Sequence, residues 1–306
     1  MTTELNPLSV IDISTWIRAE ENPLGSMYAE GSLSKHTLIN NGALYLFKET
    51  WTRNRREYGE SVPLQFWSEI IAAILGEIMG LNIPKTYIAM NNNPDISFKV
   101  GTLTKWFYEK NDTYVKGSDF LSSHLPHYSE KAHNLDSILK LTSHIKGNVQ
   151  HWVEVILFDA LICNTDRHHE NWGIINNTVF SPLYDNGISL GWRITEDKFK
   201  DFDFNSFFSK YRHKLYLKLG YTKGFKIEDS IHYFVNEQGV KIDSMITFLN
   251  KYDDILMQNK LDECVRISNE HLTQDSKLTL ERAEFLHKFI KKRHEKLSEM
   301  IQSYAK

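Results

Sequence analysis

Two cysteines, Cys163 and Cys264, are all that 306 residues contain. That is too few for a disulfide framework, and neither sits in a C-x-x-C pair that could hold zinc, so a reducing compartment is expected. No stretch approaches the roughly 18 apolar residues that cross a bilayer. Met1 to Pro7 also lacks the basic-then-apolar layout of a secretory signal. These absences predict a soluble, cytoplasmic protein with no membrane partner, and leave open a secretion signal of another kind. A basic excess is missing too: 36 lysines and arginines stand against 39 acids, a net charge of -3. A chain that grips bare nucleic acid normally carries such an excess, so direct nucleic-acid contact is not expected. Repeats and low-complexity blocks are absent. The 41% hydrophobic and 12% aromatic residues suffice for one or two ordinary cores.

The first third reads as β-rich with one helix. Ala43–Phe47, Thr86–Met90 and Ser97–Leu103 carry aromatic and β-branched residues between Asn, Gly and Pro. Asn40-Asn41-Gly42 predicts a hairpin turn, because Asn and Gly accept positive φ. Leu64–Met79 has helical periodicity and is closed by Gly80 and Pro84. Beyond about Lys110 the pattern turns helical, with periodic stretches at Gly147–Leu161, Ile242–Leu249, Asp253–Ile267 and Leu278–Ser303. In the last, Leu280, Ala283, Leu286, Ile290, His294 and Leu297 form one stripe. The expected fold class is therefore α+β: a small β-rich lobe over residues 1–107 and a larger helical lobe over 108–306, joined near Phe107 to Asn111.

Residues 159–187 carry the chemistry. A helix ends at Ile162, and a polar loop then presents Asp166 and, five positions on, Asn171. A strand-turn-strand over Trp172–Leu183, turning at Asn176-Asn177, leads to Asp185-Asn186-Gly187. Phosphoryl transfer needs one carboxylate to take or orient the acceptor proton, with an amide oxygen and a second carboxylate to hold Mg²⁺. Protein kinases place these groups as D-x-x-x-x-N followed by D-F-G. Here the first spacing is the same, but the Arg-His pair follows the aspartate instead of preceding it, which points away from ordinary protein kinases. A lone D-x-x-x-x-N match is mostly loop chemistry. Two further features add weight. Lys48 closes a strand and Glu69 lies on the next helix among apolar neighbours, where an unpaired carboxylate is costly. A polar turn from Tyr28, with Gly31, Ser32, Ser34 and Lys35, precedes the lysine strand where a kinase covers the phosphates; a simple hairpin tip reads equally well.

Taken together, Lys48, Glu69, Asn164-Thr-Asp166-Arg-His-x-x-Asn171 and Tyr184-Asp185 resemble the HipA-like serine/threonine kinases of bacterial toxin–antitoxin systems. The likeness runs from about Tyr28 to Leu190. It implies a two-lobed kinase-like fold, with ATP and Mg²⁺ as cofactors. It further implies Asp166 as catalytic base, Asn171 and Asp185 as magnesium ligands, and Lys48 with Glu69 on the phosphates. Gly31, Ser32, Ser34, Lys35 and His168 would line the nucleotide site, and backbone around Lys105, Trp106 and Phe107 would form the adenine hinge. Because the segment before Tyr28 is too short for a further small domain, the chain resembles the short HipT type, whose loop serines (here Ser32 and Ser34) are autophosphorylated. The implied substrate is a protein such as an aminoacyl-tRNA synthetase. The implied partners are a small HipS-like protein and a HipB-like DNA-binding antitoxin.

Two rivals stand beside this reading: an effector kinase of the same fold acting on a host protein, lipid or small molecule, and a catalytically silent binding scaffold. Among other residues, His168-His169-Glu170 has no second cluster at zinc-ligand spacing. Trp152 and Trp172 read as core, Cys163 as a buried thiol, and Lys288, Lys291 and Lys292 as a solvated helix face.

Overall fold

The computed structural model describes residues 8–19, 35–49, 65–92, 99–125, 133–221 and 223–304. The strands are β1 (Val10–Asp12), β2 (Ile17–Arg18), β3 (Lys35–Asn40), β4 (Ala43–Glu49), β5 (Thr86–Asn91) and β6 (Lys99–Lys105). They form one sheet in the order β1-β5-β6-β4-β3-β2, antiparallel throughout except for the parallel β1–β5 edge. The β3–β4 hairpin turns at Asn41 and Gly42, with φ values of 48° and 77°, as a tight two-residue turn demands. The turn sets the register, and the register puts Lys35 opposite Lys48.

Helix α1 (Gln65–Ile78) is buried on almost all sides. One side packs on β5 and β6; the other meets a C-terminal helix, α8 (Asp254–His271). Trp67 ties it down by donating its indole N–H to the Ser276 carbonyl at 2.9 Å. Sandwiched in this way, α1 has no freedom to slide, which matters because it carries Glu69.

The rest is built around α4 (Asn148–Ile162), against which α6 (Ile227–Asn236), α7 (Ile242–Leu249) and α9 (Leu280–Ser303) pack. Two further helices, α2 (Gly117–His124) and α3 (Leu135–Leu141), precede α4, and the short α5 (Phe204–Ser209) lies against α9. Helix α4 stops at Cys163, which adopts φ 50°. The last carbonyls of a helix lack partners within it. Here one is supplied from outside: the buried Arg293 of α9 donates Nε–H to the Ala160 carbonyl at 2.8 Å.

The helical part is not purely helical. Strands β7 (Tyr114–Lys116), β8 (Gly173–Ile175) and β9 (Val179–Phe180) make a second antiparallel sheet, with Asn176 and Asn177 at positive φ in the expected turn. The stripe expected on α9 is corrected at its start. Leu280 is exposed, and Phe285, Phe289 and Arg293 share the buried face with Ala283, Leu286, Ile290 and Leu297. Among the described residues, no helix is long and apolar enough to cross a membrane.

Candidate active site

Lys48 lies on β4, Glu69 on α1, and Asp185 in the loop after β9. Sheet, helix and loop converge so that Lys48 Nζ is 2.6 Å from Asp185 Oδ1 and 3.3 Å from Glu69 Oε2. Glu69 accepts a second bond through Oε1, from the Asn186 backbone N–H at 2.9 Å. A carboxylate on a core-facing helix is thereby paired with a cation and an amide, which is what its burial requires.

Asp185 sits at φ 58°, an unusual region for a residue with a side chain. Short polar residues tolerate it best, and here Lys48 and the Glu69–Asn186 bond hold the turn. Gly187 completes it: a Cβ there would lie 3.1 Å from Glu69 Oε2 and 3.3 Å from the Gln65 carbonyl. Burial pushes the Asp185 carboxyl up, but Lys48 and Lys35 outweigh it and leave the group at about 2. Lys48 is held above the ordinary lysine value: burial works against its charge, and Asp185 and Glu69 overcome it.

Lys35 faces Lys48 across the hairpin. Burial lowers its pKa; Asp185 and Glu69 partly offset this, while Lys48 and Lys116 depress it further. Lys116, buried at the end of β7, belongs to the same electrostatic environment. A concentration of lysines held partly out of water suits a polyanion.

The loop after α4 presents Asp166 and Asn171. The Asn171 side chain donates Nδ2–H to the Asp166 carbonyl at 2.7 Å, which leaves its oxygen as the group available to a cation. The Asp166 carboxyl is raised above the usual range by burial, opposed by His168, and raised again by Asp185. His168 Nε2 is 3.9 Å from Asp166 Oδ2, and His168 Nδ1 accepts the Glu170 N–H. His168 thus lies beside the loop carboxylate and supports the turn.

Beneath this loop is a network that the sequence reading did not identify. Arg167 and Asp159 are fully buried and joined by two bonds, Nε to Oδ2 and Nη2 to Oδ1, both 3.0 Å. Asp159 also accepts from His213 Nε2 at 3.0 Å and Asn164 Nδ2 at 3.1 Å. Arg167 carries the connection upward: Nη1 donates to the carbonyls of Asn171 (2.9 Å) and Tyr184 (2.7 Å), and Nη2 to Asn186 Oδ1 (2.5 Å). One guanidinium therefore fixes the loop bearing Asp166 and Asn171 relative to the turn bearing Asp185. A signal was present: Asp159 is a lone acid in the apolar run Val155–Ile162, and such a group needs partners.

At the expected hinge, Lys105 N–H is committed to the Lys85 carbonyl and Trp106 N–H to the Leu44 carbonyl. The Trp106 ring packs with Leu46, Tyr108, Tyr114 and Tyr184, and Phe107 stacks on Tyr184 at 5.5 Å. The segment thus adjoins the residue preceding Asp185. Of the expected phosphate turn, Lys35 is described, whereas Gly31, Ser32 and Ser34 lie outside the described residues. Trp152, Trp172 and Cys163 are buried, and burial pushes the Cys163 thiol up to about 11.

No family model and no curated protein matches the sequence. Solved structures that share its fold include two kinase-family proteins. The Helicobacter pylori proinflammatory kinase CtkA superposes with a TM-score of 0.73 at 17% identity, over 97% of this chain and 98% of that one. HipA, in the Shewanella oneidensis toxin–antitoxin complex with HipB and operator DNA, gives 0.53 at 12% identity, over 93% of this chain and 68% of that one. The chain has the α+β, two-part fold of the HipA-like kinases.

Proposed function

We propose that the protein is an ATP- and Mg²⁺-dependent kinase that phosphorylates serine or threonine hydroxyls of a protein. The observation that carries this reading is the meeting of Lys48, Glu69 and Asp185 from three distant segments, beside a loop carrying Asp166 and Asn171. A scaffold has no need of a cation pinned between two carboxylates next to a third whose pKa is raised. In this reading residues 1–107 form the phosphate-gripping lobe and 108–306 the catalytic lobe.

The donor set fits the metal. The Asn171 amide oxygen and the second Asp185 carboxylate oxygen are hard oxygen ligands of the kind Mg²⁺ selects. Bound there, the ion would neutralise charge on the β- and γ-phosphates. Lys48 and Lys35 supply the fixed positive charge for the triphosphate, with Glu69 orienting Lys48. Asp166 takes the proton of the acceptor hydroxyl as its oxygen bonds to the γ-phosphorus and the bond to the ADP oxygen breaks. A raised carboxyl pKa suits that role, because a stronger base accepts the proton more readily. Ser32 and Ser34 are the proposed self-acceptors, where a phosphate would add about -1.5 to -2 charge close to Lys35 and repel the incoming triphosphate.

The match to a kinase described as proinflammatory spans almost the whole of both chains, whereas that to HipA covers 68% of its length. The HipA match supports an operon toxin with HipS-like and HipB-like partners, and the match to the proinflammatory kinase supports an effector kinase acting on a host protein; the partial cover of HipA is what a short HipT-type toxin would also give. The test is incubation with radiolabelled MgATP and mixed serine/threonine peptides, alongside calorimetry of MgATP binding. Transfer lost in Asp166→Asn and Asp185→Asn is expected. Absence of MgATP binding by the wild type would overturn the reading.

A further inference from the structure

A cavity of about 640 Å³ opens directly beside the loop that carries Asp166. Thr165 and His168, neighbours of the catalytic aspartate, form part of its wall, and Lys214, also in the wall, acts electrostatically on Asp166. The Lys48–Glu69–Asp185 cluster contributes no residue to this wall. The cavity therefore adjoins the catalytic carboxylate through residues other than those that grip the triphosphate, where an acceptor hydroxyl has to arrive.

Its lining is cationic. Arg212, Lys214 and Lys223 contribute fixed positive charges, His133, His168 and His169 contribute imidazoles, and Glu170 is the one acid in the wall among the described residues. The arrangement is built by the chain. Residues 212–215 alternate, with His213 and Leu215 buried and Arg212 and Lys214 exposed, so both cations face outward from one segment. His213 is anchored below by Asp159 and accepts the Leu215 N–H on its other nitrogen, which fixes that alternation. The Lys223 segment is clamped alongside: Arg212 Nη1 donates to the Gly224 carbonyl at 3.1 Å, and a Cβ on Gly224 would lie 1.9 Å from the His213 carbonyl, so only glycine permits the approach. His133 closes the inner end. It accepts the Trp172 indole N–H on Nε2 at 3.0 Å, which places the proton of the neutral ring on Nδ1 as a donor. Burial, together with His169, His213, His168 and Lys214, keeps His133 neutral.

We propose that this cavity is the acceptor subsite of the kinase, and that it selects protein segments carrying aspartate or glutamate next to the phosphorylated serine or threonine. The inference rests on the kinase reading above and specifies its substrate class. A carboxylate-bearing segment fits better than a compact phosphorylated headgroup. The fixed cations come from two separate segments along an open cavity, not from one convergent nest of backbone amides of the kind that cradles phosphate.

The experiment measures binding by fluorescence anisotropy, so it needs no turnover. The probes are a labelled serine peptide flanked by glutamates, its isomer with lysines in their place, and vesicles containing phosphoinositide. The full chain should bind the acidic peptide at least about tenfold more tightly than the basic one, as expected for several modest charge pairs acting together. That preference should shrink as ionic strength rises. It should collapse in Arg212→Glu/Lys214→Glu and, separately, in Lys223→Glu; these side chains are exposed, and circular dichroism of each variant confirms that it is folded. Equal binding of the two peptides, or a charge preference that survives both variants, overturns the proposal. Capture by the vesicles without discrimination between peptides overturns it in favour of a lipid headgroup. Failure of the kinase reading is separately visible, as loss of MgATP binding with the peptide preference intact.

Discussion

Lys48 Nζ rests 2.6 Å from Asp185 Oδ1, a direct ion pair between strand and loop across 137 positions of sequence. The same carboxylate is the proposed metal ligand, so lysine and divalent cation bear on one group. Replacement of the lysine by an uncharged side chain tests both roles.

In Lys48→Met, Asp185 faces Glu69 without the cation between them. The expected cost at neutral pH is about 1–3 kcal/mol, below the range for fully buried pairs because both partners keep some exposure. In the wild type, Asp185 is depressed to about 2, so its contribution is complete above the unfolded carboxylate value and is lost progressively below it, as pH falls through about 2. Without Lys48 that carboxyl moves upward, and protonation favours the folded variant. Urea midpoints at pH 7 and pH 5 should therefore draw closer to the wild type at the lower pH. Phosphoryl transfer should drop by about 10²-fold or more.

Asp166 has the opposite sign. Its carboxyl is raised by burial and by Asp185, so holding it ionised costs folding free energy at neutral pH. Asp166→Asn should abolish transfer yet raise stability by about 1 kcal/mol, the exchange expected when a strained functional group is neutralised. His168, cationic when protonated, lowers the Asp166 value, so His168→Gln should move the acid limb of kcat/KM to higher pH. A limb that moves to lower pH, or stays in place, would remove Asp166 from the role of base.

The meeting of Lys48, Glu69 and Asp185 was legible because their order along the chain, lysine strand, glutamate helix, then a later aspartate, resembles the order that kinases use. The main helices were legible from their period, and the β3–β4 turn from Asn41-Gly42. In the second sheet the β8–β9 hairpin was legible from its Asn176-Asn177 turn, but β7 was not, because a strand of three residues is too short to display alternation. Asp159 and His213 lie 54 positions apart, and nothing local in either sequence signals the other. A buried acid announces only that partners are needed, not which ones.

That network predicts an asymmetric response. Asp159→Ala strands the fully buried Arg167, and the expected loss is about 3–5 kcal/mol, readable as a fall in the denaturant midpoint. Asp159→Leu combined with Arg167→Met removes both charges and should recover much of that stability. Activity should not return, because Arg167 also holds the carbonyls of Asn171 and Tyr184. Full activity in the double variant would show that the loop holds its shape without the guanidinium.

The sharpest geometric test is Gly187. Its backbone does not occupy the positive-φ region, so alanine introduces no torsional strain, and only the added methyl matters. That methyl would stand 3.0 Å from Gln65 Cγ and 3.1 Å from Glu69 Oε2, close enough to displace them by a few tenths of an ångström. The Lys48–Glu69 bond is already long at 3.3 Å, whereas the Lys48–Asp185 bond is short. A small displacement of Glu69 therefore leaves Lys48 to Asp185 alone and misaligns it for phosphate. Gly187→Ala should lower kcat about tenfold, while thermal stability changes by less than about 1 kcal/mol. If kcat is retained, Glu69 does not orient Lys48 in the working enzyme, and the ion pair between them serves folding alone.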